Sequence, residues 1–183
     1  MRLSKYRMSK CIAFAKERAA TSKGVYASRG ESSENKMYED ALIGAMGEWA
    51  VYEFFKESGH KVSKPDMKLY KSNLKNYSHD LFTEKYNIHV KAQGYTSFLR
   101  YGHSWLLQRR DPLVLSPTEK DYLVCCHVNL EDGEVTVTGI IKVLNIAKNN
   151  LWGECRVPAY AKTKVALYMK DLGSIETWEV LLP

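Results

Sequence analysis

The chain has 183 residues, 45% of them hydrophobic and 26% charged, with 11 Gly and 5 Pro. This composition excludes disordered, collagen-like and linker-rich chains and suits a single domain over 1–183 that folds without disulfides. The net charge of +6 is uneven: residues 1–30 carry +7 and the rest of the chain −1. Such a segment is either the electrostatic footprint of a polyanion binder or a solvated helix face.

Along residues 2–22, Met8, Cys11, Ile12, Ala15 and Ala19 recur at helical spacing among basic residues, which predicts a basic helical arm within 1–30. A connector follows at 24–35, where Ser32 or Ser33 can cap the next helix. That helix is expected over 34–58 and stops at Gly59. A Lys-rich connection at 61–77 leads to a hairpin of 78–83 and 87–93 around Glu84-Lys85-Tyr86-Asn87. Residues 96–107 fit a hydrophobic helix as the alternative to a polyanion-contacting segment, and strands are expected at 121–128 and 134–141, joined by a turn at Glu131-Asp132-Gly133. A short helix at 142–148, a strand at 164–169 and a C-terminal helix at 171–181 complete an α/β chain with helices packed on a sheet.

Apolar runs such as Tyr122–Cys126 are far too short to span a bilayer, so no membrane partner is expected. The first seven residues lack the apolar core of a signal peptide, and a cytoplasmic location is the expectation. Cys11, Cys125, Cys126 and Cys155 have no metal-type spacing and read as buried, reduced thiols. Cys125 and Cys126 should point to opposite faces of one strand.

Two places carry chemistry. Glu48 has Gly44, Ala45, Val51 and Tyr52 three and four residues away and Ala41 and Phe55 seven away, so it sits on the core-facing stripe of its helix. A buried carboxylate must be paired, metal-bound or protonated; an Arg partner or a backbone cap would also satisfy it. In the hairpin, the two-residue period places His89, Lys91 and Gln93 on one face and Ile88, Val90 and Ala92 on the other. A two-residue turn at Lys85-Tyr86 would set Asp80 opposite Lys91, although an ordinary half-exposed hairpin explains the alternation equally.

Gly47-Glu48-x-Ala50-Val51, then Asp80, then His89-x-Lys91-x-Gln93 resembles the PD-(D/E)xK nuclease superfamily, over about residues 36–145. Residues 146–183 would complete the domain. The resemblance implies a restriction-endonuclease-like fold, a mixed sheet flanked by helices, and metal-dependent hydrolysis of DNA phosphodiesters. It further implies Glu48, Asp80, His89, Lys91 and Gln93 as catalytic residues. Glu48, Asp80 and His89 would hold a divalent metal, Mg²⁺ or Mn²⁺, and Lys91 would orient the attacking water and stabilise the phosphorane. His89 stands where the family has an acid: it is either a ligand favouring Mn²⁺, or the mark of a degenerate nuclease-fold DNA-binding protein. Pro65-Asp66 and Glu84 are alternative sources of the family's acids. A homodimer is an arrangement the resemblance allows.

DNA is the implied partner. Arg2, Lys5, Arg7 and Lys10 on the first helix, Lys64 and Lys68 before the hairpin, and Arg100, Arg109 and Arg110 after it are the candidate phosphate contacts. Tyr95, Phe98, Tyr101 and Trp105 are interleaved with the last group and could stack on bases, whereas His103 and His127 read as structural.

Overall fold

The computed structural model describes residues 1–21, 33–69 and 79–172. It is a mixed α/β arrangement in which a mixed sheet is flanked by helices on one face and a second sheet on the other. Helix α1 spans Lys5–Thr21 and buries Cys11, Ala15 and Ala19, a stripe of small side chains spaced four residues apart that lies against α2. It starts later than expected because the first residues are used elsewhere. The Met1 amino group donates to Val135 O at 2.7 Å, Val135 N donates back to Met1 O, and Arg2 bridges Glu134. The N-terminus thus covers the outer edge of β5 (Glu134–Lys142), where unpaired backbone groups would otherwise invite pairing with another chain.

Helix α2, Glu34–Glu57, is capped by Ser33, whose hydroxyl accepts from Lys36 N at 3.2 Å. It ends at Ser58, and Gly59 takes the left-handed conformation at φ +84° that glycine adopts without a Cβ clash. Its buried residues, among them Met37, Ala41, Met46, Trp49, Ala50, Val51 and Phe55, surround most of the helix axis, as befits a helix held between α1 and a sheet.

The first sheet has the order β1-β2-β4-β5: β1 (Leu81–Phe82) antiparallel to β2 (Asn87–Gly94), β2 parallel to β4 (Asp121–Asn129), and β4 antiparallel to β5. β4 is central and is buried from Asp121 through Cys126, the near-continuous apolar run of a strand covered on both faces. Its two adjacent cysteines behave as the alternation requires: Cys126 joins the core beneath α2 and Cys125 the core on the other face. All four cysteines are free and buried. The β4–β5 turn places Gly133 at φ +64°.

The parallel pairing of β2 and β4 needs a crossover, which holds α3 (Tyr95–Tyr101), β3 (Ser104–Gln108) and α4 (Pro112–Leu115). Here the expected helix over 96–107 is corrected. Gly102 at φ +69° ends it after two turns, and the following residues pair as β3 with β7 (Lys164–Tyr168). Strand β6 (Gly153–Glu154) completes this second sheet, ordered β3-β7-β6. Its apolar face, with Trp105, Leu107, Val165 and Leu167, packs with Leu123, Cys125 and Ile141 of the first sheet and with Ile146 of α5 (Val143–Lys148). The expected C-terminal helix begins as a 3₁₀ turn over Met169–Leu172, and its remainder lies outside the described residues. Among the described residues no helix is long and apolar enough to cross a membrane.

Candidate active site

The site is built on β2. Gly47 of α2 lies so close to the Val90 and Ala92 side of this strand that a Cβ there would come within 2.8 Å of the Ala92 Cβ. Alternation therefore turns His89, Lys91 and Gln93 to the opposite face, away from α2, in a row with ~6.6 Å between successive Cα atoms. The parallel register sets His89 beside Leu123, Lys91 beside Cys125 and Gln93 beside His127.

Asp80 enters at the lower end of this row. The hairpin register differs from expectation: Leu81 pairs with Ile88 and Phe82 with Asn87, because the loop holds four residues, closed by Thr83 N donating to Tyr86 O. Asp80 therefore comes level with His89 rather than Lys91, and a two-residue change keeps its strand face. Its backbone N donates to Ile88 O, and its Oδ2 accepts from Val90 N at 2.7 Å. Oδ1 has no hydrogen-bond partner among the described residues.

His89 is only 5% exposed. Its Nε2 lies 3.2 Å from Asp121 Oδ1 at the first position of β4. Asp121 is itself tightly held: Asn87 Nδ2 donates to Oδ1 at 3.0 Å, and the Thr118 backbone N and hydroxyl both donate to Oδ2 at 2.7 Å. Burial opposes ionisation of Asp121, but these donors outweigh it and bring its carboxyl down to about 2. Burial also dominates at His89 and lowers its pKa, against the pull of Asp121 and Asp80. The imidazole is therefore neutral near pH 7, and because an ionised carboxylate only accepts, the ring proton is on Nε2. The Nδ1 lone pair has no hydrogen-bond partner among the described residues. Asp121 was missed as a site residue because it reads locally as a strand start; Thr118-x-x-Asp121 hints at a local turn but not at His89.

Lys91 is partly buried and makes no hydrogen bond or ion pair among the described residues, although its charge is felt by His89 and by Cys125. Gln93 has a different employment. Its Nε2 donates to Gly102 O at 2.9 Å and to Ser104 Oγ, and its Oε1 accepts from Ser104 N, so it clasps the entry to β3. Glu48 does not join the row. It stands on the helix covering the other face of β2, and its negative charge, second to burial, helps push the Cys11 thiol of α1 up to about 12. Among the described residues no group of three or more His, Cys, Asp or Glu that could hold a metal ion is present. Asp66 is exposed and accepts from Lys68 N, and Glu84 is exposed in the hairpin loop.

The basic candidates divide. Lys5, Lys10, Lys64, Lys68, Arg100 and Arg110 are exposed. Arg2 pairs with Glu134, and Arg109 with Glu154 and the Ala161 carbonyl. Arg7 is drawn inward, with Nε 3.0 Å from Glu53 and its guanidinium 3.9 Å from the Trp49 ring centre, so its charge serves the α1–α2 interface. At the upper end of the row Tyr95, Phe98, His103, Trp105 and His127 form a ring cluster, which agrees with a structural reading of both histidines.

No family model, curated protein or solved structure matches this chain. The chemistry of the site must therefore be argued from its own atoms. Asp80 Oδ1 and His89 Nδ1 are two open donors of the kind that take a divalent cation, and a two-donor set leaves positions for water and substrate.

Stability should fall on acidification in two steps in the metal-free protein. His89 and His127 both have pKa values lowered from 6.5, so the unfolded chain binds their protons first and stability is lost as pH falls below that value. Asp121 contributes stability that is complete above its ordinary 3.8 and is lost toward about 2, on the order of 2 kcal/mol. Urea midpoints between pH 8 and 2 check this, and Asp121→Asn should remove the second step.

Proposed function

We propose that this chain is a metal-dependent nuclease that hydrolyses DNA phosphodiester bonds on a restriction-endonuclease-like fold, using Asp80, His89 and Lys91. The observation that carries the reading is the row on β2: Lys91, partly buried and without a hydrogen bond or ion pair among the described residues, shares it with a carboxylate and an imidazole that each keep an atom with no hydrogen-bond partner there. An ammonium without an ion pair of its own is available to an anionic ligand such as a phosphate. The order of elements supports the reading: Asp80 stands just before β1, the antiparallel β2 carries His89-x-Lys91, and β4 and β5 follow as further strands of the same sheet.

In this reading Asp80 Oδ1 and His89 Nδ1 hold the cation, which when bound acidifies a water and neutralises phosphate charge. Lys91 binds a non-bridging phosphate oxygen and stabilises the charge that develops there in the transition state. Asp80 is held in place by Val90 N, and Gln93 keeps the strand end anchored to β3. The exposed Lys5, Lys10, Lys64, Lys68, Arg100 and Arg110 supply backbone contacts along DNA.

The test is incubation with supercoiled plasmid and single-stranded circles across Mg²⁺ and Mn²⁺. Wild type should cut at least one form, and Asp80→Ala should lower the rate about 10²-fold or more with unchanged circular dichroism. A catalytically degenerate DNA-binding protein is the second reading, favoured by the absence of a three-donor group among the described residues. Salt-sensitive DNA binding without cleavage under any metal would establish it.

A further inference from the structure

We infer that Asp121, held by Asn87 and Thr118, is a positioning residue that presents His89 Nδ1 as a ligand to a borderline first-row divalent cation of the Mn²⁺ or Zn²⁺ class. The inference rests on the proposed function for the role of the cation, but the arrangement is independent of cleavage. Four donors converge on the Asp121 carboxylate: Asn87 and His89 on Oδ1, and two groups of Thr118 on Oδ2. Both oxygens are thereby committed, so Asp121 is not itself an open ligand. What remains for it is to fix the plane of the imidazole and to keep the ring proton on Nε2. A carboxylate holding the second nitrogen of a histidine in this way is the usual companion of a metal-bound imidazole.

The remaining nitrogen has the properties such a role requires. His89 is more than nine-tenths buried, yet among the described residues Nδ1 has no hydrogen-bond partner and is not one of the sealed, unpartnered nitrogens, which include those of His103 and His127. Asp80, whose charge acts on His89 and whose Oδ1 is open, lies level with it across the β1–β2 pairing. A carboxylate oxygen and an imidazole nitrogen together suit Mn²⁺ or Zn²⁺ better than Mg²⁺, which prefers oxygen alone.

The tests are long-range ¹H–¹⁵N spectra of the His89 ring and calorimetric titration with Mn²⁺ alone. Wild type should show the proton on Nε2, Mn²⁺ should bind more tightly than Mg²⁺, and both metals should bind more weakly to His89→Ala. Asp121→Asn offers Nε2 an amide N–H, which should move the ring proton to Nδ1 and weaken Mn²⁺ binding about 10- to 100-fold. Asp121→Glu should recover part of that affinity. A wild-type proton on Nδ1, equal Mn²⁺ affinity in Asp121→Asn, or no Mn²⁺ binding by wild type would each overturn the inference. The first and last of these are read on wild type and do not depend on any variant folding. If the tautomer and the Mn²⁺ affinities hold while no DNA is cut, the nuclease reading alone has failed.

Discussion

Lys91→Met should lower metal-dependent cleavage by about 10³-fold while leaving the fold as stable as wild type or more so. The two halves of this result come from one fact. Lys91 is partly buried beside Cys125 and makes no hydrogen bond or ion pair among the described residues, so no direct partner in the fold depends on its charge. Methionine keeps the length and the apolar stem and removes the ammonium. A single donor aimed at developing oxyanion charge is worth roughly 10²–10³ in rate, and a water-orienting contribution adds to it. Plasmid cleavage rates and thermal unfolding on the same preparation check both halves. Cleavage within tenfold of wild type would remove Lys91 from the chemistry, and a large drop in Tm would show that its charge has a structural partner.

Gly47→Ala should destabilise the protein by roughly 1–3 kcal/mol, although glycine to alanine within a helix ordinarily gains about 1 kcal/mol. The reason is the approach of α2 to β2. An added Cβ meets the Ala92 Cβ at 2.8 Å, with Val90 and Cys126 close behind, and none of these can swing away as the end of a long side chain could. The helix must lift from the sheet or the strand must bend. Because β2 carries His89 and Lys91 on its other face, cleavage should fall as well. Chemical denaturation of Gly47→Ala, of Ala92→Gly and of the double variant checks the cause: the double variant should recover much of the loss, since removing the Ala92 Cβ vacates the space. Additive losses would place the strain elsewhere. Gly44, which has open space around its Cβ position, is the control at which alanine should follow ordinary helix propensity.

Much of the fold was legible because it is local. Spacing of apolar residues and end signals located α1, α2, β2, β4 and β5 to within a few residues, and Gly59 and Gly133 mark ends that only a left-handed residue makes easily. The stretch 96–107 failed because a short run of apolar residues suits helix and strand alike. Pairing with β7 and the turn at Gly102 decided in favour of strand for its second half.

By itself, then, the sequence determined which residues share a face: His89, Lys91 and Gln93 on one side of β2, with Val90 and Ala92 on the other. It determined as well that a carboxylate, an imidazole and an ammonium belong to one hairpin. Only the tertiary structure decided what faces that row. Parallel pairing with β4 brought Asp121 to His89 from 32 positions away, the four-residue loop set Asp80 level with His89, and α2 covered the face opposite to it and carried Glu48 with it. The division has a physical cause. Periodicity and propensity follow from the covalent geometry of neighbouring residues, whereas strand register and the choice of sheet face follow from burial summed over segments far apart in the chain.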